Sequence, residues 1–225
     1  MYWDSTIFFL IPGLLLGLWA QSRVQNAFQK YSRVPTQRGM AAFQAIGALL
    51  AQEGAGHVNI TRTSGSLTDH FDPRTDTLRL SESVYASSSV AALGIAAHEA
   101  GHALQKQENY PFLSLRTLMV PVVNIGSHLS WPIFLLGIIV SWEPLQIAGI
   151  VLFSLVVLFS LITLPVEFDA SRRAMRMLTS SGYLTQSEEK GAQAVLNAAA
   201  MTYVASFVSA LMQLLRLVAI SRRRD

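Results

Sequence analysis

Four long apolar runs dominate this sequence, at residues 3–20, 118–140, 147–166 and 201–220. About 20 helical residues cross a hydrocarbon core of roughly 30 Å, so each run has the scale of a membrane span. The third, 147–166, carries no charge at all and is the firmest span. The first is slightly short, and the second is interrupted by Pro121, Asn124, His128 and Pro132. A soluble helical bundle is the alternative, but four such runs in 225 residues leave too little polar surface to cover them. Only 14% of residues are charged, against about 25% in ordinary soluble domains.

Orientation follows the basic residues beside the runs. Arg23, Lys30, Arg33 and Arg38 follow the first run and only Asp4 precedes it, which predicts an outside N-terminus and a cytoplasmic segment from residue 21. Without a basic stretch before it or a clear small-residue cleavage site after it, the first run reads as an uncleaved anchor. The short connection 141–146 holds Glu143 and no Lys or Arg, which suits an outside loop. Arg172, Arg173, Arg176 and Lys190 after the third run suit the inside. The basic tail Arg222-Arg223-Arg224 breaks the alternation, so the fourth run either re-enters, lies peripherally or escapes the rule. That run also carries a stripe of Thr202, Ser206, Ser209, Gln213 and Arg216 at helical spacing. Helix packing through small polar residues is one reading, and the lining of a wet cavity is the other.

The division expected is therefore an anchor over 1–20, a cytoplasmic part over 21–117, a membrane hairpin over 118–166, a helical part over 167–200, and a C-terminal apolar helix with its basic tail over 201–225. Within the cytoplasmic part, residues 37–52 have helical periodicity and stop at Gly54 and Gly56. Residues 57–63 alternate as a strand, 66–71 and 77–80 read as strands around a Pro73-Arg74-Thr75-Asp76 turn, and Ser87–Ser89 could cap a helix over 90–106.

That last helix contains His98-Glu99-Ala100-Gly101-His102, an H-E-x-x-H pattern. Two histidines four apart share one helix face and can bind one Zn²⁺, while the intervening Glu99 reaches water at the metal and serves as general base. Cysteine is absent, so any protein site must use His, Asp or Glu. Catalytic zinc takes three protein ligands. The candidates for the third are Glu167, Asp169, Glu108, Glu143 and His128. Glu167 is favoured because two spans of similar length return the chain to the face it left, and because an acid at the end of a charge-free span is costly unless paired or metal-bound. Its plain alternative is an interfacial acid paired with Arg172 or Arg173. Asp169 and Ser171 could orient a ligand histidine. His70 lies in the strand pair before the zinc helix, where zincin-like folds add a substrate strand; a structural role in the hairpin is the alternative and the favoured reading. His128, Tyr203 and Arg216 are candidate donors to an oxyanion.

Taken together, Leu67–Pro73, Leu78–Ser81, Ala96–Ala103, Leu164–Ala174 and Leu196–Tyr203, with the four apolar runs, resemble the YugP-like membrane zinc metallopeptidases over nearly the whole chain. A more distant resemblance is to the HtpX-type membrane proteases, which place a membrane hairpin between the H-E-x-x-H helix and a Glu ligand. The resemblance makes Glu167 that ligand. Those proteases carry an Asp four positions later, where this chain has Ser171.

It further implies an α+β, mostly helical fold: a zincin-like catalytic unit fused to a bundle of three or four transmembrane helices in a bacterial cell membrane. The implied activity is zinc-dependent peptide hydrolysis with one zinc per chain, the bilayer and a protein or peptide substrate as partners, and no nucleic acid. A catalytically silent zinc-binding scaffold and a metal transporter or sensor are the rival readings. The intact Glu99 and the charge-free third run weigh against transport.

Overall fold

A computed structural model describes residues 5–222. The chain is mostly helical and divides into two compact units. Within the described residues, one comprises 5–21, 114–165 and 201–222; the other comprises 22–113 and 166–200.

The elements in chain order are α1 (Leu10–Tyr31, after a short 3₁₀ turn at Ser5–Phe9), α2 (Ala42–Gln52), β1 (Asn59–Thr63), β2 (His70–Asp72), β3 (Thr77–Ser81), α3 (Glu82–Tyr85), α4 (Val90–Gln107), α5 (Pro111–Ile139), α6 (Glu143–Ser180) and α7 (Gln186–Arg222). Among the described residues, four helices are long and apolar enough to cross a membrane: Thr6–Tyr31, Pro111–Ile139, Glu143–Ser180 and Gln186–Arg222. All four outrun the apolar segments that announce them. α6 continues for 38 residues through Pro165 and past the charged cluster at Arg172-Arg173. Pro111 opens α5, where its missing N–H costs nothing.

Within the first unit, large apolar side chains point outward: Leu14 and Leu15 are each 60% exposed, Leu118 72% and Ile139 77%. Such a surface would drive aggregation in water and is at ease in lipid. The helices approach closely through small residues. A Cβ at Gly149 would meet the Ser130 carbonyl oxygen at 2.8 Å, and one at Gly13 would meet Ser209 Cα at 2.8 Å. Ser209 belongs to the polar stripe of α7, as does Arg216, whose Nε donates to Thr6 Oγ1 at 3.3 Å. At these two positions the stripe packs helices together, the first of its two readings.

The second unit places a three-stranded sheet, ordered β1-β3-β2, against helices. β1 runs parallel to β3 from Asn59↔Thr77 to Thr63↔Ser81, and β2 runs antiparallel from His70↔Arg79 to Asp72↔Thr77. The strand expected over 66–71 shrinks to His70–Asp72. Leu67 has φ 56°, a left-handed conformation that breaks extended backbone, and Asp69 turns its carboxylate to Ser81 N–H and Oγ–H at 2.7 and 2.9 Å. The helix expected from residue 37 starts at Ala42. Its core combines Ala45, Ile46 and Leu49 of α2, Leu78 and Leu80 of β3, Leu93, Ala97 and Ala100 of α4, Met177 and Leu178 of α6, and Ala192 and Leu196 of α7. α4 is the central element, buried along most of its length.

Candidate metal centre

α4 begins where the sequence places it. Ser89 is its N-cap, and its side chain accepts from the Ala92 N–H at 3.2 Å. From that start, His98 and His102 lie one turn apart on the same face, their rings edge-on with centroids 4.9 Å apart.

α6 supplies the third group. Glu167 Oε2 stands 3.2 Å from His98 Nε2 and 3.6 Å from His102 Nε2. The three side chains offer ligand atoms that all lie within 4.8 Å of one another. Ligands about 2.0–2.1 Å from a tetrahedral zinc are separated by about 3.3–3.4 Å, a value that lies between the two glutamate–histidine separations. Glu167 is only 2% exposed. A carboxylate so deeply buried needs compensating charge or hydrogen bonds, and this donor set of two imidazoles and one carboxylate is one that zinc accepts.

The approach of α6 to α4 depends on Gly101. A Cβ there would meet the Ala170 carbonyl oxygen at 2.5 Å, so any side chain would force the helices apart. Gly101 occupies a variable position of the H-E-x-x-H pattern. Its packing role depends on α6 and is invisible in that pattern.

Both histidines are steered from behind. His98 Nδ1 lies 3.1 Å from Ser171 Oγ, and His102 Nδ1 lies 3.0 Å from Gln105 Oε1. With Nδ1–H donated to these oxygens, each ring turns Nε2 toward Glu167, the tautomer a metal ligand needs. Ser171, four residues after Glu167 on the same helix, thus reaches the first of the two histidines. Asp169 acts at one remove: its Oδ2 accepts from Gln105 Nε2 at 2.9 Å and from Arg173 Nε. Glu108 is drawn to Arg173 Nη1 at 2.7 Å. Arg173 is therefore occupied by Asp169 and Glu108, while Glu167 faces the histidines.

Glu99 lies on α4 beside the histidines. Its Oε2 accepts the Phe71 N–H of β2 at 3.1 Å. Burial pushes its carboxyl above the ordinary range; the charges of His98 and His102 oppose that shift, and those of Glu167 and Asp69 add to it. Burial acts to lower the His102 pKa, but the hydrogen bond to Glu167 and the charges of Glu99 and Glu167 outweigh it and hold the imidazole above its usual value.

Of the remaining candidates, His70 is exposed and turns Nδ1 to the Thr68 carbonyl at 2.8 Å. That bond stabilises the turn into β2. His128 and Tyr203 belong to the first unit; His128 Nδ1 faces the Asn124 carbonyl one turn back at 2.6 Å. Reading the sequence alone misses Gln105 and Phe71. Gln105 stands three residues after His102, a spacing that offers a weak signal; the Phe71 N–H offers none, because any residue there would present it.

A family model described as "Putative neutral zinc metallopeptidase" matches residues 6–222. The chain is also similar to a Bacillus subtilis (strain 168) protein named "Putative membrane protease YugP", with 44% identity over 95% of each chain. No solved structure matches.

Proposed function

The chain belongs to the neutral zinc metallopeptidase family, and from that premise we propose that it is an integral-membrane endopeptidase that hydrolyses peptide bonds with zinc held by His98, His102 and Glu167. The observation that carries the reading is the convergence of these three ligand atoms beside the partly buried carboxylate of Glu99. Bound zinc supplies Lewis acidity, which acidifies water and polarises a carbonyl.

The chain's own residues do the rest. Glu99 accepts a proton from the attacking water and returns it to the departing amine. Burial of its carboxyl favours the protonated form through which this exchange passes. Phe71 N–H fixes the carboxylate while leaving its other oxygen to work. Ser171 and Gln105 hold the imidazoles so that the site is formed in advance. β2 pairs with β3 on one side only, and its outer edge is where an extended substrate backbone would add as a further strand.

For the membrane arrangement, residues 1–20 would form an anchor with the N-terminus outside. Residues 118–166 would form a hairpin crossing out and back, and 21–117 and 167–200 would lie in the cytoplasm, making this a zincin-like unit fused to a helical bundle. The support is the four apolar helices and the distribution of basic residues. Residues 201–225 would add a fourth crossing, which sets Arg222 outside.

The test is zinc content and casein or self-cleavage by detergent-purified protein, wild type beside Glu99→Gln. Equal zinc in both with cleavage by the wild type alone supports hydrolysis. Equal zinc with no cleavage by either turns the reading toward a silent scaffold. Absence of metal in both removes the metal centre.

A further inference from the structure

Gln105 is fully buried, three residues past His102 on α4. A primary amide in the core must satisfy an acceptor and two donors, because each group left bare carries the full penalty of its desolvation. This one is satisfied entirely by the metal centre and its supports. Oε1 lies 3.0 Å from His102 Nδ1. Nε2 donates to the Val166 carbonyl at 2.8 Å and to Asp169 Oδ2 at 2.9 Å.

These partners leave the amide one orientation. A backbone carbonyl only accepts, and Asp169 Oδ2 already receives Arg173 Nε, which only donates. The NH₂ end must therefore face α6, and the oxygen must face the imidazole. The ring nitrogen opposite that oxygen must then carry hydrogen. Polarity thus runs from His102 into Gln105, from Gln105 into Asp169, and from Arg173 into the same carboxylate, with Glu108 holding Arg173 from outside at 2.7 Å. The Val166 bond matters equally, because Val166 immediately precedes Glu167. One side chain ties a histidine ligand on α4 to the backbone beside the carboxylate ligand on α6.

We propose that Gln105 is a positioning residue of the metal centre, fixing the His102 tautomer and the register of α6 at Glu167 through a single oriented amide. The inference rests on the zinc-centre reading above. A buried glutamine that merely filled space would be replaceable by an apolar side chain of its own size. This one would not be, because its loss strips a partner from His102 Nδ1 and from the Val166 carbonyl together.

The experiment uses the full chain in detergent. Zinc affinity is measured by competition with a chromophoric chelator, and ligand geometry by the visible absorption of the cobalt-loaded protein. Gln105→Met conserves volume and removes both hydrogen-bonding ends; affinity should fall about 10–100-fold. Gln105→Glu keeps an acceptor for His102, loses the donors and sets two carboxylates face to face; affinity should fall at least about tenfold, with an altered cobalt spectrum. Adding Asp169→Asn to Gln105→Glu replaces the two facing carboxylates by an amide and a carboxylate but does not restore the donor to the Val166 carbonyl, so affinity should recover in part, by about threefold or more over Gln105→Glu alone. A residue that only fills space produces no such recovery. If Gln105→Met fails to fold, the Glu and Glu-plus-Asn variants decide. Binding within about twofold of wild type in the single variants, with unchanged cobalt spectra, overturns the proposal. So does a folded double variant without recovery. Failure of the wild type to bind zinc overturns the metal-centre reading itself, and is told apart by that measurement alone.

Discussion

The two units satisfy their polar side chains in opposite ways. In the apolar unit, polar side chains mostly turn back on their own helix: Ser154 to the Ile150 carbonyl, Ser160 to Val156, Thr163 to Phe159, His128 to Asn124 and Ser206 to Thr202. In the other unit the bonds that matter cross between elements: His98 to Ser171, Gln105 to Val166 and Asp169, and Phe71 to Glu99. A bond within one turn forms wherever the helix forms, and says nothing about neighbours. A bond between elements forms only when both are placed correctly, so it can hold a ligand in position. The apolar unit has exceptions, among them Gln146 to Gly137, Arg216 to Thr6 and Ser221 to Gln146, and these should be where its helix packing is most sensitive.

The contrast can be broken in graded steps. Glu99→Gln should lower kcat by about 10²–10⁴-fold with zinc content unchanged, read by metal analysis beside a cleavage assay; an active variant would remove Glu99 as general base. Glu167→Ala should weaken zinc by more than about 100-fold, beyond the range for residues that only support a ligand; chelator competition measures it, and unaltered affinity would move the third ligand elsewhere. Affinity should also fall with pH. The His102 proton is held above the ordinary histidine value, so protons begin to displace zinc as pH drops through that raised value, costing up to about tenfold per unit for each proton displaced. Titrating binding between neutral and mildly acidic pH tests this, and a flat profile would contradict it. Gly101→Ala should cost about 1–3 kcal/mol by pushing α6 from α4, visible as a lower melting temperature and weaker zinc binding together. At the small end, Ser160→Ala, which removes a bond internal to α6, should change stability by less than about 0.5 kcal/mol. A large loss there would mean that the apolar unit too depends on specific polar contacts.

Much was legible in order of residues alone. The apolar runs announce helices because burying a backbone in hydrocarbon leaves little else possible. Ser89 marks the start of α4, and the spacing of His98 and His102 already places two ligands on one face, because helical geometry is local. The resemblance pointed to Glu167, and topology favoured it among five acids and histidines. What the sequence could not settle is whatever depends on two distant segments meeting. The expected strand 66–71 became three residues because Leu67 turns left-handed and Asp69 is claimed by Ser81 across the hairpin. Sheet order β1-β3-β2, with a parallel pair and an antiparallel one, has no signature in alternation. Gly101 looks like a filler residue until the Ala170 carbonyl stands over it. Gln105 looks like any helical glutamine until its amide is seen between His102 and Val166. Periodicity and capping act over a few residues and can be read directly. Close packing and the direction of a shared hydrogen bond exist only once α4 and α6 lie side by side, and tertiary structure alone decides them.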